Sequence, residues 1–139
     1  MRRAYAGAVP EFLSEMWLRD LDLALRDFPA VCALAPIVIE QVVSDVPGRG
    51  EVRYRLRVDA EGARIVAGDD PGSPDVRLTT DYDTAVAVAL GKENAQIALG
   101  HGRLRLGGNV DALIRQADAL RALDDATADL RSATTYPSP

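Results

Sequence analysis

The residues with chemistry to offer are few and scattered. His101 is the only histidine, and it stands between Gly100 and Gly102. A turn of that kind gives an imidazole no fixed neighbour to orient it as a base. Cys32, the only cysteine, lies among Val31, Ala33 and Leu34, where a thiol behaves as a small apolar side chain. Carboxylates pair at Asp69-Asp70, Asp81/Asp83 and Asp124-Asp125, but no acid or base is spaced to work with them. Asp81 and Asp83 open a helical segment, where negative charge suits the helix dipole. No His/Cys/Asp group has the spacing of a metal site. Gly100-His101-Gly102 lacks the third glycine of a dinucleotide loop: Arg105 occupies that position, and a strand follows instead of a helix. The expectation is a protein that is not an enzyme, with no catalytic residue, no metal and no cofactor.

A denser pattern lies in the arginines. Arg53, Arg55, Arg57, Arg77, Arg103 and Arg105 alternate with Val52, Tyr54, Leu56, Leu78, Leu104 and Leu106. A period of two puts the two sets on opposite faces of strands. The arginine face is then either solvated and partly neutralised by Glu40 and Glu51, or a basic surface patch that meets anionic lipid headgroups or an acidic partner.

Helices and strands must hold these residues in place. Leu13, Met16, Trp17, Leu21, Ala24, Leu25 and Phe28 recur at three- and four-residue steps, which predicts an amphipathic helix over 11–28. Pro10 is placed in its first turn and Pro29 at its end, with Glu15 and Arg19 spaced as an ion pair on the wet face. From Pro36 to Ser44 the period is two, with Ile37, Ile39 and Val43 on one face. Pro47 to Gly50 turns the chain into the alternating strand of Val52 to Val58, and Glu61-Gly62 turns it again into 63–67. This is a three-strand meander. A Gly/Pro loop over 69–74 precedes a fourth strand, 76–79. Thr80 or Asp81 caps a helix that Gly91 stops, Asn94 to Leu99 is a short helix, 103–106 a fifth strand, and Asn109 caps a last helix carrying Leu113, Ile114, Ala117 and Leu120, which 124–130 extends.

The composition frames this order. The 139 residues carry a net charge of −5, which argues against nucleic acid as a partner, since phosphate binding draws on a basic balance. Lys92 is the only lysine; arginine- and alanine-rich usage fits a high-GC bacterial gene. One cysteine cannot form an internal disulfide, no apolar run follows Met1-Arg2-Arg3 as in a secretory signal, and no stretch is long enough to span a bilayer. The expectation is a cytoplasmic protein with a single domain over 1–133 and a disordered tail over 134–139.

The segment from Asp75 onward has a recognisable order. Asp75 to Thr80 enters an aspartate-led helix ending at Gly91-Lys92, then a short Ala-rich helix, then Gly102-Arg103-Leu104-Arg105-Leu106 and Gly107-Gly108-Asn109. It resembles the sterol-carrier-protein-2 family over 75–120, with Arg103 for a lysine, Leu106 for an isoleucine and Asn109 where aspartate is common. The resemblance implies an α+β fold: a five-stranded, mostly antiparallel sheet covered on one face by helices, with an apolar tunnel between. It also implies non-catalytic carriage of a fatty acid, acyl-CoA or sterol-like lipid. The expected state is a monomer or homodimer, with the arginine face as the part that would make transient contact with membrane surfaces. The side chains then expected around the ligand are Trp17, Tyr54, Leu56, Ile65, Leu78, Val86, Leu90, Ile97, Leu104, Leu106 and Leu113. The residues leave a second reading open. In it the core is closed and the domain is an interaction or regulatory module working through the arginine face or the first helix.

Overall fold

The computed structural model describes residues 10–26, 36–59, 62–67, 72–116, 118, 121–122, 125 and 127–137. Its elements are α1 (Glu15–Arg26), β1 (Ile37–Val46), β2 (Gly50–Asp59), β3 (Gly62–Ala67), β4 (Val76–Asp81), α2 (Tyr82–Ala89), α3 (Ala95–Gly100), β5 (Leu104–Gly108), α4 (Val110–Arg115) and α5 (Ala128–Ala133). Cys32, Asp69, Asp70, Ala117, Leu120 and Asp124 lie outside the described residues, as does the expected continuation of α1 to Phe28.

The strands form one sheet in the order β3-β2-β1-β4-β5. The meander is present, with β1, β2 and β3 pairing antiparallel in sequence order. The chain then crosses to the other side of β1, where β4 runs parallel to it, and β5 closes the sheet antiparallel to β4. The sheet is therefore mixed, with one parallel pair at its centre. That pair needs a crossover rather than a tight turn, and periodicity within single strands carries no sign of it.

Strand alternation divides the sheet as the sequence predicts. Ile37, Ile39, Gln41 and Val43 share one face of β1, opposite Val58, Leu56, Tyr54 and Val52 of β2. Helices cover this inner face: α1 packs against β3, α2 against β1 and β4, and α4 against β4. β1 runs past its expected end at Ser44. A bulge between Val43 and Val46 places Asp45 at φ 59°, a conformation that aspartate tolerates better than most residues. The extra residue turns Val46 back into the core, so Val43 and Val46 are both buried in one cluster.

The start of α1 differs from the expectation. Glu11 to Ser14 is a turn, and the cap is Ser14, whose Oγ accepts from Trp17 N at 3.1 Å. Pro10 stands outside the helix. Leu13 takes φ 68° while 2% exposed, a strained setting for a leucine that drives its side chain under the helix. Among the described residues Glu15 and Arg19 form no ion pair. Asp22 does this work instead: it pairs with Arg26 at 2.8 Å and accepts from Ile65 N at 2.8 Å, tying α1 to the edge strand β3.

The caps of α2 and α4 are predicted ones, and α3 is capped by Asn94, which the sequence placed inside that helix. Asp81 accepts from Thr84 N at 2.7 Å, Asn94 from Gln96 N at 2.7 Å, and Asn109 from Ala112 N at 3.1 Å. Gly91, at φ 75°, ends the α2 turn. Gly108 is a tighter constraint: at φ 90°, a Cβ there would stand 2.4 Å from Asp75 O, which accepts from Asn109 N.

Two sequence expectations about the C-terminal part are corrected. Residues 128–133 form a separate short helix, α5, packed on α1. Residues 134–137 are not a disordered tail. Phe12 N donates to Thr135 O and Thr135 N to Pro10 O, both at 2.9 Å, and the Tyr82 hydroxyl donates to Pro137 O at 2.6 Å. Tyr136 packs on Phe12 with ring centroids 5.1 Å apart. The aromatic lead-in to α1 holds this segment down, a long-range contact that a local composition argument misses.

Candidate functional site

Between the inner sheet face and the helices lies a cavity of about 530 Å³, a size typical of small-molecule sites. Its floor is the sheet: Gln41 and Val43 of β1, Tyr54 and Leu56 of β2, Ile65 of β3, Leu78 and Thr80 of β4, and Leu104 of β5. Trp17, Leu21 and Leu25 from one face of α1 form part of the roof, and Thr84, Ala85, Val88 and Ala89 of α2 the rest. The small side chains of Ala85 and Ala89 keep α2 from filling the space over the sheet. One end is closed by Phe12, Leu13, Thr127, Leu130 and Arg131, while exposed Gly91 and Ala95 form part of its rim.

Aromatic packing stiffens the closed end. Trp17 meets Phe12 edge to face at 5.0 Å and Tyr54 edge to face at 6.0 Å, arrangements that aromatic quadrupoles favour. Trp17 Nε1 is buried with no hydrogen-bond partner. Burial pushes the Tyr54 hydroxyl far above the ordinary tyrosine range, so it stays protonated. Burial, with the nearby charges of Asp83 and Glu11, also raises the pKa of Tyr82. Arg131 donates to Thr127 Oγ1 at 2.9 Å within α5.

Of the side chains expected around a ligand, Trp17, Tyr54, Leu56, Ile65, Leu78 and Leu104 are brought together in this lining. The other five are elsewhere. Val86 packs against one core cluster, and Leu106 and Leu113 against the other. Leu90 and Ile97 are exposed, at 45% and 55%. A helical period tells which residues share a face but not how far a short helix such as α3 stands from the sheet. Phe12, Leu13 and the α5 residues were beyond sequence reasoning because they arrive from distant parts of the chain. Gln41 was legible: its parity on β1 is that of Ile39 and Val43.

The opposite face holds an unexpected cluster. Glu40, 1% exposed, sits between β2 and β4 with Arg77 Nε at 2.5 Å and Arg55 Nε at 3.4 Å, and Arg53 reaches within 4.0 Å. Burial alone would raise the Glu40 pKa, but hydrogen bonds from Arg77 and Arg55 and the charges of Arg77 and Arg53 outweigh it and hold it below the usual range. Arg55 is itself buried, so this face is only partly the solvated one its alternation suggests. Arg57 projects from the same face of β2, and Arg105 from that of β5. Arg103 turns away to Glu93, donating to its Oε2 at 2.7 Å. His101 is exposed at the end of α3. Among the described residues no group of His, Cys, Asp and Glu is placed to hold a metal ion, and no helix is long and apolar enough to cross a membrane.

Over residues 29–121 the sequence matches the SCP-2 sterol transfer family. The chain belongs to this family. Solved structures carry the same fold. A Thermus thermophilus protein described as possibly a sterol carrier protein matches with a TM-score of 0.65 at 22% identity, covering 98% of this chain and 99% of that one. A crystal structure of sterol carrier protein 2 gives 0.62 at 23% identity, over 85% and 98%. An inverting sec-alkylsulfatase from a Pseudomonas species gives 0.53 at 17% identity, over 76% of this chain but 16% of the sulfatase. The SCP-2 fold thus also occurs as a small part of a larger enzyme. Among curated proteins the sequence finds no match.

Proposed function

We propose that this SCP-2 family chain is a non-catalytic carrier that binds a fatty acid, acyl-CoA or sterol-like lipid reversibly in the cavity between the sheet and α1 and α2. The carrying observation is the cavity of about 530 Å³ floored by Tyr54, Leu56, Ile65, Leu78 and Leu104 and roofed by α1 and the alanines of α2. Burial of ligand hydrocarbon drives uptake, at about 0.8 kcal/mol per methylene, less the cost of immobilising the ligand. Eight or more buried carbons suffice for useful affinity on that scale. A closed-core interaction module is the weaker reading, because it calls for a core that leaves no such space. The carrier works in the cytoplasm, as a monomer or homodimer, and exchanges its cargo at membranes. Arg53, Arg77 and Arg105 on the outer sheet face supply the attraction to anionic headgroups, and Arg77 and Arg105 line a second pocket there of about 410 Å³.

Native mass spectrometry of freshly purified protein, with organic extraction, tests the carrier reading. A discrete added mass that extracts as a lipid is expected. A bare protein mass, together with no thermal stabilisation by fatty acids, acyl-CoAs or sterols, would overturn it.

A further inference from the structure

Apart from Thr80, whose hydroxyl donates to Arg103 O, the cavity floor is polar at one place. Gln41 stands on β1 at the centre of the inner face, in register with Tyr54 on β2 and Leu78 on β4. Tyr54 is 8% exposed. Both Gln41 and Tyr54 line the cavity, and among the described residues neither side chain has a hydrogen-bond partner. Gln41 is half-buried, and an amide and a phenol lining an apolar cavity without protein partners are left to pair with water or a ligand; they are adjacent across the ladder, at the spacing of directly opposed pairs.

We propose that Gln41 and Tyr54 together form a neutral hydrogen-bonding post that selects ligands carrying a hydroxyl on a long apolar chain, such as a long-chain alcohol. This rests on the carrier reading and narrows it to a ligand class. A hydroxyl both donates and accepts. It gives its proton to the Gln41 amide oxygen and receives one from the Tyr54 hydroxyl or the Gln41 amide nitrogen. A pure hydrocarbon would displace water from the pair and leave both groups unpaired, which is how a polar post rejects an analogue that lacks its partner. A carboxylate fits less well. No residue of the cavity's sheet floor carries a charge, and the lining arginine, Arg131 of α5, is bonded to Thr127, which precedes that helix. The environment that keeps Tyr54 protonated equally resists an unpaired anion.

The test compares 1-dodecanol with its methyl ether, which has the same chain and can only accept. Binding is followed by isothermal titration calorimetry and by emission of Trp17, the only tryptophan, which packs on Tyr54. The ether is the more apolar of the two, so a preference for the alcohol must come from hydrogen bonding. The wild type is expected to bind the alcohol about three- to tenfold more tightly, the range of the one net neutral hydrogen bond that the ether cannot donate. Gln41→Leu is expected to reverse the order while keeping the ether's affinity. Tyr54→Phe, which holds the aromatic packing, removes a donor that either ligand accepts from, so it is expected to weaken both about threefold and leave the preference in place. Equal affinities in the wild type, a preference that survives in Gln41→Leu, or ligand affinities untouched by Tyr54→Phe would overturn the proposal and leave the carrier reading standing. So would tighter binding of dodecanoate that depends on Gln41, because the post would then be reading an anion. If neither probe nor any other lipid binds the wild type, the carrier reading itself fails.

Discussion

Consecutive residues of β1 experience opposite environments. Gln41 and Val43 look toward a space that side chains do not fill, whereas Glu40 and Val42, facing the other way, are buried at 1% and 5% exposure. Burial on the first side leaves room for something else. On the second it is completed by the protein itself, with a carboxylate held among Arg53, Arg55 and Arg77. One strand thus has a face that is apolar and unfinished and another that is polar and finished. Burial alone therefore does not mark the face that does the binding.

The contrast is broken most strongly at Glu40. Glu40→Ala leaves the buried Arg55 guanidinium without its partner, and a loss of about 4 kcal/mol in urea unfolding is expected, with affinity for any cavity ligand unchanged in the protein that remains folded. The same site sets a pH dependence. Its folded pKa lies below the value of 4.5 for an unperturbed carboxyl, so its contribution is complete above that value and is lost as pH falls through the folded pKa. Stability of the wild type measured from pH 6 to pH 3 should fall more steeply than that of Glu40→Gln. Parallel curves would show that Glu40 is not held ionised by its arginines.

A second comparison sharpens the inner face. Ile37→Ala removes a side chain 1% exposed in the closed core cluster and should cost about 3 kcal/mol in chemical denaturation. Leu56→Ala trims a wall of the cavity and should cost about 1.5 kcal/mol, because that side chain already lacks neighbours on one side. Equal costs would mean that Leu56 is packed all round and the space is closed in solution. The smallest effect is expected at Arg77→Ala. Arg77 makes the shortest contact to Glu40 but is 51% exposed, so water and the remaining arginines compensate and the loss should stay near 1 kcal/mol.

Much of the scaffold was legible. Alternation separates Val52, Tyr54, Leu56 and Val58 from the arginines between them, and Asp81, Asn94, Asn109 and Gly91 mark helix ends by their local chemistry. Less legible was whatever depends on two distant segments meeting. The parallel pairing of β1 with β4, the capture of Thr135 by Pro10 and Phe12, and the placing of Arg55 and Arg77 on either side of Glu40 are settled by register across the sheet. The bulge at Asp45 is local, yet it reverses parity and so breaks the rule by which strands are read. The candidate site was legible mainly along its sheet floor, because strand parity fixes direction. Its roof was less so, because α2 and α3 offer similar apolar residues and only packing decides that Ala85 faces the space while Ile97 faces solvent.

The bridge between Pro10 and Thr135 gives the described chain the connectivity of a ring: its two ends are neighbours although nearly the whole sequence separates them. The entropy of closing such a ring grows only with the logarithm of its length, so tying the ends is little more costly than tying a much shorter loop. A ring can be cut once without coming apart. A protease acting at the exposed Gly48–Arg49 turn would leave β1 and β2 still paired on either side of the nick and the two pieces still joined at Pro10 and Thr135. The fragments should therefore travel together through gel filtration and separate only on denaturation.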